Sequence, residues 1–178
     1  MADFIYNIDL SILFSLQEHM KSPALDQAMV FITSLGNAGY LWIILAFLFL
    51  FHKNYQRCGI YLTLSLFFTT YLCENLLKPM FGRIRPCHLY PNISMVIARP
   101  HSPSFPSGHT MVGFAAATVI FYFHRKLGIA AYVIAFFIAF SRLYLFVHYP
   151  TDILGGIVFG LLTSCLLIRG LNQMNQWK

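Results

Sequence analysis

Charge is scarce in this sequence. Only 10% of its residues are Asp, Glu, Lys or Arg, and the acidic ones number 6 among 178, whereas soluble domains carry roughly 25%. So few charges do not furnish a water-facing surface. The 58% hydrophobic content, with 18 phenylalanines, makes this a membrane protein. A net charge of +6 is too small and too scattered for a nucleic-acid partner. Cysteine is sparse as well: Cys58, Cys73, Cys87 and Cys165 form no CxxC pair, which indicates neither a disulfide framework nor a zinc site. Cys58, Cys73 and Cys165 fall in apolar runs and are expected to pack as small core residues. Internal repeats, low-complexity tracts and linkers are absent, so residues 1–178 read as a single domain. A positively charged leader with a small-residue cleavage site is also missing. Residues 1–21 mix Phe4, Ile5, Ile8, Leu10 and Leu13 with Asp3, Asp9 and Glu18, which predicts a retained amphipathic helix at the membrane interface.

Long apolar runs make up most of the remainder. A short helix is expected after Pro23, with Gly36 and Gly39 marking a break behind it. Spans are predicted over 39–51, 58–77, 110–124, 128–147 and 151–168, the first of them short against the roughly 20 residues that cross a bilayer core. The fold class is therefore all-α, a polytopic transmembrane helical bundle of five membrane helices, or six if residues 8–20 also cross. Gly156 and Gly160 form a small-xxx-small pattern suited to close helix packing. The stretch 79–106 holds six of the eight prolines and reads as a loop. Its apolar Ile93, Met95, Val96 and Ile97 are placed to dip into the headgroup layer or to cover a site, while Cys87 and His88 read as incidental.

The rare charges cluster in three places. Lys78, Arg83 and Arg85 sit in a Pro- and Gly-broken segment at the end of an apolar helix, where Glu74 is four residues before Lys78, the favourable order for a helical ion pair. Ser107, Gly108 and His109 follow Pro106 directly before an apolar run. A helix starting there presents unpaired N–H groups and its positive dipole end to an anion, although Pro-Ser-Gly before a helix is also an ordinary cap. Arg142, His148 and Asp152 stand where one apolar run yields to another. An arginine in a span costs roughly 2.5–3.5 kcal/mol at the centre on insertion scales and so faces a partner or a polar cavity. Six residues of helix would set it about 9 Å below His148. His148 and Asp152 by themselves also fit a hydrogen-bonded pair at a helix start.

Taken in order these clusters read K-x6-RP, PSGH and SR-x5-H-x3-D, and the sequence resembles the three-part signature of the type-2 phosphatidic acid phosphatase superfamily over about residues 74–156. The resemblance implies a helical bundle, metal-free catalysis with no cofactor, and functional roles for Lys78, Arg85, Ser107, Gly108, His109, Arg142, His148 and Asp152. The chemistry of these residues agrees with it. Lys78, Arg85 and Arg142 supply positive charge to phosphate oxygens, and Ser107 with the Gly108 N–H supplies neutral donors. His148, its second nitrogen held by Asp152, suits a nucleophile, and His109 suits the acid that protonates the leaving group and then helps water open a phosphohistidine. Arg83 falls between the matching positions and is expected to line the entrance or meet headgroups. The rival readings are a vanadate-dependent haloperoxidase, a lipid phosphotransferase using the same site, and a non-enzymatic lipid-binding protein.

Charge also predicts orientation. Lys53, Arg57, Arg125, Lys126, Arg169 and Lys178 fall on one face. The site's face keeps Lys21, Arg83 and Arg99 once the proposed phosphate ligands are set aside. The positive-inside rule puts the site on the extracytoplasmic side of the cell membrane. The expected substrate is a membrane lipid bearing a phosphate or diphosphate. Undecaprenyl diphosphate is favoured, because a loop of about 28 residues leaves little room to read a large headgroup, with phosphatidic acid and phosphatidylglycerol phosphate as alternatives.

Overall fold

The computed structural model describes residues 2–175; Met1 and Lys178 lie outside the described residues. Seven principal helices follow in order: α1 Ala2–His19, α2 Pro23–Leu35, α3 Tyr40–Phe51, α4 Gln56–Tyr71, α5 Gly108–Phe123, α6 Arg125–Tyr144 and α7 Pro150–Asn175. No strand occurs among the described residues. Three helical stretches are long and apolar enough to cross a membrane: α4 with its continuation to Leu89, α6, and α7. The short run expected over 39–51 is completed by α2, because α2 and α3 pass the same test together as one span bent by 42°. The bend lies where Ala38 and Gly39 take left-handed φ values of 48° and 71°.

Helix α5 has 16 residues, about 24 Å at 1.5 Å per residue. It begins at the same end where α6 finishes, and one residue separates it from the start of α6 at the other end, so it runs the depth of the bundle. It is also the central element, in contact with α4, α6 and α7. Ala115, Ala116, Ala117 and Val119 are fully buried there, and small side chains let its neighbours approach. A Cβ on Gly160 of α7 would sit 2.5 Å from the Met111 carbonyl oxygen of α5. The expected small-residue packing thus joins α7 to α5.

Helix α1 forms where it is expected, but it is not divided into a polar and an apolar face, since both faces are largely apolar. Phe4, Ile5, Ile8 and Ile12 point outward. Tyr6, Leu10 and the fully buried Leu13 pack on a second core with Tyr144, Phe146 and Tyr149. It does not qualify as a span. Ile93, Met95 and Ile97 of the proline-rich stretch also pack on this core, whereas Val96 beside them is exposed. Cys87, read as incidental, is buried in the same core, and Cys165, expected inside, is exposed. The reason is helix phase: position 165 falls on the outer stripe of α7 with Leu162 and Leu166.

Candidate active site

One end of the bundle holds a polar cavity of about 430 Å³. Lys78, Arg85, Gly108, His109, Arg142 and His148 all line it, so six residues from three distant stretches converge on one space. Ser107 and Asp152, also expected in the site, are fully buried and do not line it. The Ser107 hydroxyl accepts from Thr110 Oγ1 at 3.0 Å, and its N–H donates to the Asp152 carbonyl at 3.1 Å. Ser107 is the N-cap residue of α5, and the first two residues of that helix, Gly108 and His109, line the cavity.

Helix α4 leads into the cavity through a π-helical turn, Leu72–Leu77, and then a single α turn, Lys78–Phe81. Such turns rephase a helix, and here both Glu74 and Lys78 reach the cavity wall. They form the expected ion pair, 2.6 Å long, and Lys78 also donates to Ser102 Oγ at 3.2 Å. A Cβ at Gly108 would lie 3.1 Å from the Glu74 carboxylate, so the glycine keeps the anion mouth clear.

Arg85 is 3% exposed. Its Nε donates to the Ser102 carbonyl at 2.7 Å, and Nη1 donates to the Val147 carbonyl and to His148 Nε2, both at 2.9 Å. That contact defines the tautomer of His148: Nε2 accepts, so the proton sits on Nδ1 and is donated to Asp152 Oδ2 at 3.3 Å. The Asp152 carboxylate also takes the Ser104 hydroxyl and the Tyr149 N–H, the latter at 2.8 Å. Asp152 is the third residue of α7 and reaches back to the residue before the helix, half of a capping box.

The expected helical offset between Arg142 and His148 does not hold. Helix α6 ends at Tyr144, and Phe146, with φ 58°, turns the chain back. Arg142 and His148 therefore face one cavity instead of lying a helical rise apart. Arg142 is 4% exposed; Nη1 donates to Thr33 Oγ1 at 2.6 Å, and Nε is buried with no partner among the described residues. A buried guanidinium with an unspent donor on a cavity wall suits an anionic ligand.

His109 donates through Nε2 to Asn37 Oδ1, 3.2 Å away. Gly36 makes the room, since a Cβ there would lie 2.7 Å from the His109 ring. The α2–α3 bend thus seats this histidine. Arg83 does not line the cavity. It donates to Asp152 Oδ1 and to Asp9 Oδ2, both at 2.7 Å, on the far side of Asp152 from His148. Sequence reasoning missed Asp9, Thr33, Ser102 and Ser104 as neighbours of the site. Asp9 did carry a signal, as a carboxylate between Ile8 and Leu10 in an amphipathic stretch.

A second, apolar groove of about 580 Å³ runs between α3 and α4 and shares Ala38 and Thr70 with the polar cavity. Ile43, Phe47, Leu50, Leu66 and Phe67 line it.

The chain is similar to known proteins over most of its length. The family model described as "PAP2 superfamily" matches residues 58–176. The chain is 36% identical over 169 residues to phosphatidylglycerophosphatase B of Bacillus subtilis, covering 86% of this chain and 78% of that one. It is 28% identical over 165 residues to an undecaprenyl-diphosphatase of Sulfolobus acidocaldarius, covering 92% and 78%. The crystal structure of a transmembrane PAP2-type phosphatidylglycerolphosphate phosphatase from Bacillus subtilis superposes with a TM-score of 0.74 at 30% identity, covering 96% of this chain and 87% of the other.

Proposed function

The chain belongs to the PAP2 superfamily, and from that premise we propose that it removes a phosphate from a membrane lipid through a phosphohistidine on His148. The observation that carries this reading is the convergence of Lys78, Arg85, Arg142 and the α5 N-terminus around His148, whose proton is already directed to Asp152. Three cations and a helix mouth match the three equatorial oxygens of a transferring phosphoryl group. The phosphate takes over the Arg85 donor now spent on His148 Nε2, which frees that lone pair. Nε2 attacks phosphorus, the bond to the lipid-side oxygen breaks, and His109 gives that oxygen a proton. Water then attacks phosphorus, His109 takes a proton back, the N–P bond breaks and inorganic phosphate leaves. No step calls for a metal, so activity is expected in EDTA.

The substrate we favour is undecaprenyl diphosphate, its tail leaving through the apolar α3–α4 groove. From the loop beside the site, Pro100 and Ser102 line the cavity, and both are too short to read a large headgroup. Phosphatidylglycerol phosphate is the second reading, and the 36% identical relative named for that activity supports it. We also place the site outside the cytoplasm, because Lys53, Arg57, Arg125, Lys126 and Arg169 cluster at the opposite end of the helices while Arg83 is neutralised by two carboxylates.

Phosphate release from undecaprenyl diphosphate, phosphatidic acid, phosphatidylglycerol phosphate and lipid A by purified protein is the test, with His148→Ala alongside. The parent should prefer the first substrate, and the variant should lose at least about 1,000-fold in kcat, the order seen when a nucleophile is removed. A hundredfold preference for a glycerolipid would overturn the first substrate and leave the phosphatase. Near-parent turnover by the variant would overturn the phosphohistidine.

A further inference from the structure

Asp9 is a fully buried carboxylate in α1, outside the stretch that the family model matches and outside the phosphate cavity. A buried carboxylate is costly unless it is paired and hydrogen-bonded, and Asp9 is both. Its Oδ2 accepts from Arg83 Nη2 at 2.7 Å and from the Thr151 hydroxyl; its Oδ1 accepts from the Thr151 N–H at 2.9 Å. The same guanidinium donates through Nη1 to Asp152 Oδ1 and to Thr151 Oγ1, both at 2.7 Å, and lies 4.0 Å over the Tyr149 ring. One arginine thus bridges two carboxylates and covers the turn that carries His148. Because Arg83 touches the Asp152 oxygen that His148 does not use, it fixes the carboxylate plane without competing for the imidazole proton.

Charge gives this bridge a second role. Arg83 alone against Asp152 would sum to zero. Two carboxylates sharing one guanidinium sum to one negative charge, buried beside His148. When Nε2 bonds to phosphorus and Nδ1 keeps its proton, the ring becomes positive, and that remaining negative charge is what meets it.

We propose that Asp9 is a positioning residue of the phosphatase: through Arg83 it orients Asp152 and leaves its charge available to His148, so α1 completes the active site. This rests on His148 as the nucleophile. Asp9 touches no cavity surface, so its removal should act on turnover and not on phosphate binding.

The test is steady-state kinetics of the full chain in detergent, with inorganic phosphate as competitive inhibitor and size-exclusion profiles as the check on folding. Asp9→Asn should lower kcat about 10- to 100-fold, the usual scale for the partner of a catalytic ligand, while KM and the phosphate inhibition constant stay within about twofold of the parent or tighten, as one local negative charge is lost. Asp9→Glu should recover several-fold of the lost kcat. In an Arg83→Gln background, Asp9→Asn should change kcat by less than about twofold, because its effect passes through that arginine. If Asp9→Asn yields no folded protein, Arg83→Lys carries the same readout: it keeps the charge, loses the two-carboxylate fork, and should lower kcat with KM unchanged. Parent-like kcat in the folded variant, weaker phosphate inhibition in step with kcat, or an undiminished Asp9→Asn effect without Arg83 would each overturn the proposal. His148→Gln separates the two readings. If it is inactive while Asp9→Asn is parent-like, only the role of Asp9 fails; if it retains turnover, the nucleophile assignment fails.

Discussion

His148 is buried, in the turn between α6 and α7, and its protonation connects chemistry to stability. Burial pushes its imidazole down to about 3 from 6.5, against the opposing pull of the Asp152 hydrogen bond. The imidazole is therefore neutral at pH 7, as the attack through Nε2 that we propose requires. The same shift has a sign for folding. Above pH 6.5 the imidazole is neutral in both folded and unfolded chains and contributes nothing. Between pH 6.5 and about 3 the unfolded chain binds a proton that the folded one refuses, so stability falls as pH falls. The thermal midpoint in detergent should drop across this window, and drop less for His148→Gln. An unchanged acid dependence in that variant would contradict the assignment.

At the scale of elements, α5 ties the site to the bundle. Its N-terminus lines the cavity, and its first turns pack on α7 through glycine. A Cβ at Gly156 would lie 2.9 Å from the Ser107 carbonyl oxygen, and one at Gly160 would lie 2.5 Å from that of Met111. Both obstacles are backbone atoms of α5, which move only if the helix does. Gly160→Ala should cost about 1–3 kcal/mol, the scale of overpacking, read as a thermal midpoint lowered by several degrees. Gly170→Ala, with open space around it, is the control and should leave the midpoint unchanged or slightly raised. Equal midpoints for Gly160→Ala and the parent would show that α5 and α7 are not locked there.

At the scale of the whole molecule, the two ends differ in charge and task. One carries Lys53, Arg57, Arg125 and Lys126 beside short connections. The other gathers the site, its long proline-rich loop and α1. With the site outward, a cysteine introduced at Asn92 should react with an impermeant reagent on intact cells, in a background lacking Cys165, and one introduced at Lys126 should not. The reverse pattern would invert the orientation. The apolar α3–α4 groove shares Ala38 and Thr70 with the cavity, the route by which the lipid we propose as substrate presents its phosphate from within the bilayer.

The sequence by itself determined the all-helical membrane class and the residues that carry charge into it. In a chain this poor in charge, each arginine, histidine or carboxylate beside an apolar run is an exception that needs a partner, and Lys78, Arg85, His109, Arg142 and His148 were legible for that reason. The glycine spacing in α7 was legible too, because helical period places residues 156 and 160 on one face. Only the tertiary structure decided what depends on distance along the chain. Asp9 reaches Arg83 across 74 positions and Arg142 reaches Thr33 across 109, separations that no local period encodes. The left-handed turn at Phe146 likewise replaced an expected helical offset with two side chains facing one cavity. Ser107 illustrates the other limit: its place at the start of α5 followed from the Pro-Ser-Gly pattern, but whether its hydroxyl faced the cavity or Thr110 was set by how α5 packs on α7.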